Sequence, residues 1–169
     1  MNTDRIDRGG RRWFLAIAFL AAATVQPAFG QTSGIITADH LIERLANHAA
    51  GLDLNIQFGV NNASVTPRAK DQMRELGQAL ASKELAAAAF EIIGHTDASG
   101  GAKANKALSE RRAEAVRQYL IRNFGVAPGR LQATGRGEER LRDRRRPTHA
   151  INRRMEIRRL GANPSPSSP

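Results

Sequence analysis

The charged residues Asp97 and Arg112 are the first candidates for a binding site, because each interrupts or ends an apolar pattern. Leu108, Arg112, Val116 and Leu120 recur every four residues, a spacing that places them on one face of a helix. Burying a guanidinium there without an anionic partner is costly, so we expect an anion to meet Arg112. The alternative is that helix drift leaves Arg112 at the edge of the apolar stripe, with its charged end in water.

Asp97 follows the apolar segment 90–93 and opens a glycine-rich loop that leads to the helix of Arg112. Loops at strand ends are where sites on α/β sheets commonly form. Asp97 could cap a turn or pair with Arg112. A functional alternative is that the two residues grip a zwitterion, with Asp97 taking an ammonium and Arg112 taking a carboxylate through a two-point hydrogen bond.

The elements that position these two residues are predicted from hydrophobic periodicity. We predict helices over about 37–47, 66–80 and 105–123, and strands over 54–58, 90–93, 131–134 and 152–160. Thr66 and Asn105 are the predicted N-caps of the second and third helices, and Gly125 is predicted to lie just past the third. Strands that alternate with helices predict the α/β class, or an α+β sandwich, with helices packed on a sheet.

Several motifs, taken together, resemble the OmpA-like C-terminal domain family. They are Gly94-His95-Thr96-Asp97, Leu108-Ser109-Glu110-Arg111-Arg112-Ala113, Gly135-Arg136-Gly137-Glu138 and Asn152-Arg153-Arg154-Met155-Glu156-Ile157, with Ile56 and Phe58 in the family's opening strand. The resemblance covers residues 52–160, and the combined spacing is far more specific than any single motif. The chain departs from the common family pattern at Gly59, where many members have Asp, and in the loop 147–151.

The resemblance implies a βαβαββ-type fold with helices packed on one mixed four-stranded sheet. It also implies non-catalytic binding of peptidoglycan through the meso-diaminopimelate of its stem peptide. Asp97 and Arg112 match the family's ligand-binding carboxylate and arginine, and Asn105, Arg153 and Ser99 match supporting positions. No cofactor or metal is implied. The expected role is to tether or organise the cell envelope, with an outer-membrane or envelope protein as a possible partner; an alternative is a component of a larger envelope, motility or secretion complex.

The N-terminal segment has the three-part layout of a secretory signal. Four arginines precede an apolar run over 13–25, and small residues precede the predicted cleavage after Gly30. The general secretory route and the twin-arginine route both remain open. We therefore predict an exported, periplasmic protein that is associated with peptidoglycan and the outer membrane of a Gram-negative bacterium. It would consist of a polar lead and short helix (31–51), the domain at 52–160 and a disordered Pro/Ser tail (161–169).

Cysteine is absent, which excludes a disulfide framework, a thiolate metal site and a lipid-modified cysteine. The chain is accordingly expected to be a free-standing OmpA-like domain without a membrane barrel or a lipid anchor. A hydrolase is disfavoured because His95, Asp97, Ser99 and Ser109 lack a nucleophile elbow, and because His95 is expected to be a hydrogen-bonded structural residue.

The charge is uneven along the chain, whose formal net charge is +10. Residues 111–159 carry 15 arginines against 5 acidic residues, and five of those arginines lie in 140–146. A basic nucleic-acid-binding module is a distant alternative, disfavoured by the export signal and by the scarcity of aromatic residues for base stacking. The run 140–146 could be a solvated loop, or it could attract acidic stem peptides or anionic lipid headgroups.

Overall fold

The computed structural model describes residues 34–47, 51–54, 56, 58, 63 and 65–161. The predicted signal segment, the start of the polar lead and residues 162–169 of the predicted tail lie outside the described residues. The described elements are α1 (Ala38–Asn47), β1 (Leu52–Leu54), α2 (Pro67–Ala81), β2 (Phe90–His95), α3 (Ala102–Phe124), β3 (Leu131–Gly137) and β4 (Met155–Arg159), with short 3-10 turns at Pro128–Arg130 and Ala150–Asn152. After α1 the order is βαβαββ, as predicted.

The four strands form one mixed sheet in the order β1-β4-β2-β3. Strand β4 is antiparallel to both β1 and β2, whereas β2 and β3 are parallel and are connected through α3. Because β4 runs opposite to its two neighbours, it begins at the sheet edge where β1 and β2 end. This edge, called the site edge below, is where the loop after β2 and the loop before β4 come together.

The helices pack on the sheet and share one hydrophobic core with it. Phe90 and Ile92 of β2 belong to this core, whereas Glu91 and His95 alternate with them and pair with side chains of β4. Among the described residues, no helix has the length and apolar character needed to cross a membrane.

Helix α2 begins as its sequence predicts. The Thr66 hydroxyl accepts a hydrogen bond from the backbone N–H of Ala69 at 3.2 Å, and Pro67 takes the first helical position. The periodicity that predicts this helix is an apolar stripe with spacings of four, three and four residues, and all its members are buried: Ala69, Met73, Leu76 and Leu80. The spacing of the stripe therefore identified the face that packs into the core.

The predicted strand over 54–58 is wrong, because β1 is Leu52–Leu54 and ends where the prediction begins. The backbone N–H of Ile56 donates to the carbonyl of Leu54 at 2.9 Å, a contact typical of a three-residue turn rather than of a continuing strand. Phe58 instead forms an isolated bridge with Val65. Apolar–polar alternation continues through this bend, so the sequence pattern could not reveal it.

The predicted N-cap at Asn105 is also wrong. Helix α3 begins at Ala102 with Gly101 as its cap, and the N–H of Asn105 already donates to the Gly101 carbonyl at 3.0 Å. At the other end, Gly125 adopts the left-handed conformation with φ 64°, as predicted for a residue just past a helix. Strand β4 is shorter than predicted because the 3-10 turn at Ala150–Asn152 occupies the start of the predicted segment.

Candidate functional site

A cleft of about 870 Å³ lies at the site edge. All five site residues predicted from the sequence line it: Asp97, Ser99, Asn105, Arg112 and Arg153. The end of β2, helix α3 and the loop before β4 therefore bring these residues to one place. That they bind a ligand there stays a prediction.

Asp97 lies two residues past the end of β2, and its side chain is only 9% exposed. One carboxylate oxygen accepts from the backbone N–H of Ser99 at 3.0 Å, and the other accepts from Nη1 of Arg153 at 2.6 Å. Burial alone would raise the pKa of Asp97, but the hydrogen bonds from Arg153 and Ser99 outweigh it and lower the pKa below its usual value. Asp97 is therefore an anion at neutral pH.

The main chain around Asp97 is held on both sides. The N–H of Thr96 donates to the carbonyl of Gly137 at 2.9 Å, and the N–H of Ala98 donates to the carbonyl of Pro147 at 3.0 Å. Asn105 donates from Nδ2 to the Asp97 carbonyl at 3.2 Å. These contacts fix the position of the carboxylate before any ligand arrives.

Asn105 thus supports the site without capping its helix. Besides bonding Asp97, its Nδ2 donates to a carboxylate oxygen of Glu138 at 2.5 Å. Ser99, by contrast, is exposed at the mouth of the cleft, and its N–H is already used by Asp97. Both residues therefore shape the loop that carries Asp97.

Arg112 is buried, so its guanidinium lies within the apolar stripe of its helix and not at the edge of the stripe with its charge in water. Arg112 is 7% exposed, and its guanidinium carbon lies 5.1 Å from the centre of the Phe58 ring. This distance is within the range of a cation–π contact. Burial and the nearby charge of Arg153 lower the pKa of Arg112, and the charge of Asp97 opposes them. An arginine nonetheless keeps its charge in proteins, so the cleft contains a buried cation as well as a buried anion.

Sequence reasoning missed the part of the cleft that β1 contributes. Asp53 of β1 accepts hydrogen bonds from Arg154 and Arg142, and all three residues line the cleft. No local pattern of residues points to this cluster, because Asp53 lies 101 residues from Arg154 along the chain. Only the strand order, which places β4 beside β1, brings them together. Counting this cluster, the cleft is lined by four arginines and two aspartates.

His95 also lines the cleft, and it is engaged with β4. Its Nε2 lies 3.1 Å from a carboxylate oxygen of Glu156, and its side chain is almost fully buried. The hydrogen bond from His95 is the main reason that the pKa of Glu156 is lowered. This arrangement agrees with the predicted structural role of His95. No group of three or more potential metal ligands occurs within the described part of the chain.

Comparison with known proteins identifies the family of the chain that carries this cleft. The family model described as "OmpA family" matches residues 57–154, which include all five predicted site residues. The chain belongs to the OmpA family. The fold and the family predicted from the sequence motifs are therefore both confirmed.

Relatives of this OmpA-family chain include both porins and lipoproteins. The peptidoglycan-associated lipoprotein of Pseudomonas putida is 32% identical over 143 residues, which cover 82% of this chain and 80% of the lipoprotein. Outer membrane porin F of Pseudomonas fluorescens is 35% identical over 107 residues, or 62% of this chain and 32% of the porin. The chain thus spans about a third of the length of that porin.

A solved structure shows the same relationship. The crystal structure of the peptidoglycan-associated lipoprotein from Burkholderia pseudomallei superimposes with a TM-score of 0.53 at 28% identity. The superposition covers 62% of this chain and 88% of the lipoprotein. The similarity therefore extends over most of a known OmpA-family domain.

Proposed function

We propose that this chain binds peptidoglycan without cleaving it, and that it does so through the meso-diaminopimelate of the stem peptide. The observation that carries the proposal is that Asp97 and Arg112, two buried and opposite charges, line one cleft. The side-chain end of meso-diaminopimelate carries an ammonium and a carboxylate, which complement this pair. The name of the lipoprotein relatives, peptidoglycan-associated, supports the same ligand.

The carboxylate of the ligand would bind Arg112. This guanidinium is already withdrawn from water and held against Phe58. A pre-positioned, poorly hydrated cation loses little freedom and little hydration when a carboxylate arrives. Its planar fork can also donate two parallel hydrogen bonds, which a lysine cannot reproduce.

The ammonium of the ligand would bind Asp97. Arg153 currently occupies one oxygen of this carboxylate, but the Arg153 side chain is 50% exposed and long. Because the Arg153 end of this ion pair is half exposed, its guanidinium returns to water when an ammonium displaces it, while the buried Asp97 carboxylate stays paired with a cation throughout. Arg153 thus acts as a replaceable partner for a buried anion.

The proposed place of action is the periplasm, where the domain would tether peptidoglycan to an envelope partner. The N-terminal signal pattern and the outer-membrane and peptidoglycan-associated relatives support this location. Cell fractionation followed by N-terminal sequencing tests it. We expect periplasmic protein that begins near Gln31, and cytosolic protein with an intact Met1 would contradict the location.

Binding to purified sacculi tests the ligand. We expect the protein to sediment with diaminopimelate-type sacculi and much less with lysine-type sacculi, because lysine lacks the second carboxylate. Arg112→Ala, Arg112→Lys and Asp97→Asn should each weaken binding by roughly 10- to 150-fold, which corresponds to the loss of a charge-assisted hydrogen bond of about 1.5–3 kcal/mol. Arg122→Ala is the matched control, since Arg122 is an exposed arginine in the last turn of the same helix.

Folding must be checked by circular dichroism for every variant. Equal binding to both types of sacculi, or wild-type binding by a folded Arg112→Ala protein, would refute the proposed ligand. Release of soluble fragments from sacculi by the wild-type protein would contradict the non-catalytic part of the proposal.

A further inference from the structure

The cleft is larger than the diaminopimelate end group requires. A volume of about 870 Å³ lies in the upper part of the range for pockets that enclose ligands of drug size, which is roughly 300–1,000 Å³. Asp97 lies at the end of β2 and Asp53 lies on β1, with β4 between them. Two strand spacings, or about 9.5 Å, thus separate the two strands that carry these aspartates. A ligand longer than one amino acid can therefore reach both.

The cluster around Asp53 has an excess of positive charge. One carboxylate accepts hydrogen bonds from two guanidinium groups, those of Arg154 and Arg142. Arg154 is 13% exposed and all three of its guanidinium nitrogens are engaged, since Nε donates to Asp53 at 3.0 Å and both terminal nitrogens donate to the Arg140 carbonyl at 3.2 Å. Arg142 is 52% exposed and, within the described chain, uses only Nη1. Arg142 is therefore the residue at this end that can receive another anion.

The loop that carries Arg142 is anchored rather than loosely solvated. Fully buried Asn152 accepts from the N–H of Asp143 at 2.8 Å and donates to the carbonyls of Asp143, Arg146 and Pro147. The Asp143 carboxylate in turn accepts from the backbone N–H groups of Arg145 and Arg146 at 3.0 and 3.1 Å. These contacts hold Arg142 beside the cleft before a ligand binds.

We propose that Arg142, backed by Asp53 and Arg154, forms a second anion subsite that binds a further carboxylate of the same stem peptide. The inference rests on the proposed function, because it assumes that the diaminopimelate end occupies Asp97 and Arg112. Two carboxylates of a stem tetrapeptide have the required chemistry. They are the α-carboxylate of the D-glutamate before diaminopimelate and the terminal carboxylate of the D-alanine after it.

Calorimetric titration of the full chain with three soluble tetrapeptides tests the subsite. One ligand, L-Ala-γ-D-Glu-meso-diaminopimelate-D-Ala, has both carboxylates free; the second is amidated at D-glutamate and the third at the terminal D-alanine. We expect one amidation to weaken binding by about three- to tenfold, a modest factor because Arg142 is half exposed and salt screens it. The amidation that weakens binding identifies the carboxylate.

Protein variants link that effect to Arg142. Arg142→Gln should weaken binding of the free tetrapeptide by the same factor and should no longer distinguish it from the amidated ligand. Arg142→Lys keeps the charge and should retain part of the preference. The matched control is Arg144→Gln, since Arg144 is exposed in the same loop but does not line the cleft.

The outcomes separate this inference from the proposed function. If all three tetrapeptides bind equally well, or if Arg142→Gln keeps the preference of the wild type, the second subsite is refuted while diaminopimelate binding stands. If the folded wild-type protein binds none of them, both proposals are overturned.

Discussion

Asn152 provides a direct test of whether the arginine-rich loop supports the site. Its amide has two N–H groups and one oxygen, so the four contacts correspond to about three full hydrogen bonds. At about 1 kcal/mol net for each bond, Asn152→Ala should lower the free energy of unfolding by roughly 3 kcal/mol. For a domain of this size the melting temperature should fall by roughly 10 °C.

The substitution should also weaken the site. Asn152 bonds the carbonyl of Pro147, and the same carbonyl accepts the N–H of Ala98, the residue that follows Asp97. Loosening of Pro147 therefore reaches the candidate ligand-binding carboxylate. We expect weaker binding to sacculi by the folded variant, and faster hydrogen exchange at the N–H groups of Asp143 and Ala98.

Thermal unfolding followed by circular dichroism and hydrogen exchange followed by NMR are the assays. Asn123→Ala is the control, because Asn123 is exposed and its side chain, among the residues that the structure describes, donates one hydrogen bond, to the Tyr119 carbonyl. Its melting temperature should change by less than about 2 °C. If Asn152→Ala melts within 2 °C of the wild type and keeps the Asp143 N–H protected, the argument that Asn152 anchors the loop is wrong.

Three further predictions concern stability. Gly94→Ala should destabilise the fold by roughly 2–4 kcal/mol, because the new Cβ would lie 2.3 Å from the Ser109 carbonyl oxygen. The control is Gly129→Ala, whose Cβ meets no atom within 4 Å and which should leave the stability unchanged. Chemical denaturation measures the free energy of unfolding of both variants. Because folding lowers the pKa of Asp97, the ionised carboxylate stabilises the fold at pH values above its unfolded pKa of about 3.9. This contribution to the free energy of unfolding is lost as the pH falls through the pKa of the folded state. Urea unfolding at several pH values should therefore show that the free energies of unfolding of the wild type and Asp97→Asn differ by a constant amount above about pH 5 and by less below about pH 4. A difference that persists unchanged to about pH 2 would contradict this. Arg130→Ala should lower the free energy of unfolding by roughly 2–4 kcal/mol, since Arg130 donates to three main-chain carbonyls near the end of α2. Sacculus binding by the folded variant should be unaffected, because Arg130 does not line the cleft.

The local elements were predictable because their signals lie within single segments. The cap at Thr66 and the apolar stripe of α2 are sufficient to identify a helix and its buried face from the sequence. Arg112 was recognisable for the same reason, since a cation inside an apolar stripe can be seen from spacing alone. The motifs that match the OmpA family then joined these segments into one fold.

The errors and omissions arise from contacts that are remote in sequence or that break a local pattern. The turn at Ile56 ends β1 early although the apolar–polar alternation continues. Asn105 resembles an N-cap, but its side chain bonds Asp97 and Glu138 instead. The cluster at Asp53 depends on the order of strands in the sheet, which no single segment of sequence encodes.

The arginines show why composition alone could not identify the site. Arg130 holds the end of α2, and Arg154 is fixed to β1 and to a main-chain carbonyl. Arg142 lines the cleft and, within the described part of the chain, uses one of its guanidinium nitrogens. All three contribute equally to the basic charge of the second half of the chain. Their roles follow from the number of guanidinium nitrogens that the fold already occupies.

A site for a zwitterion must keep its two opposite charges at a fixed separation. Here the strand that ends before Asp97 packs against the helix that carries Arg112, and Gly94 leaves no space between its backbone and the Ser109 carbonyl. Because a side chain at position 94 would push the strand and the helix apart, this close packing sets the distance between the anion and the cation. Arg153 meanwhile pairs with Asp97 from a half-exposed position, and the proposed function requires that the ammonium of the ligand joins or replaces it there. Rigid packing behind Asp97 and Arg112, together with a half-exposed partner in front of Asp97, is what the proposed zwitterion site requires: two buried, opposite charges that a ligand reaches without rearrangement of the fold.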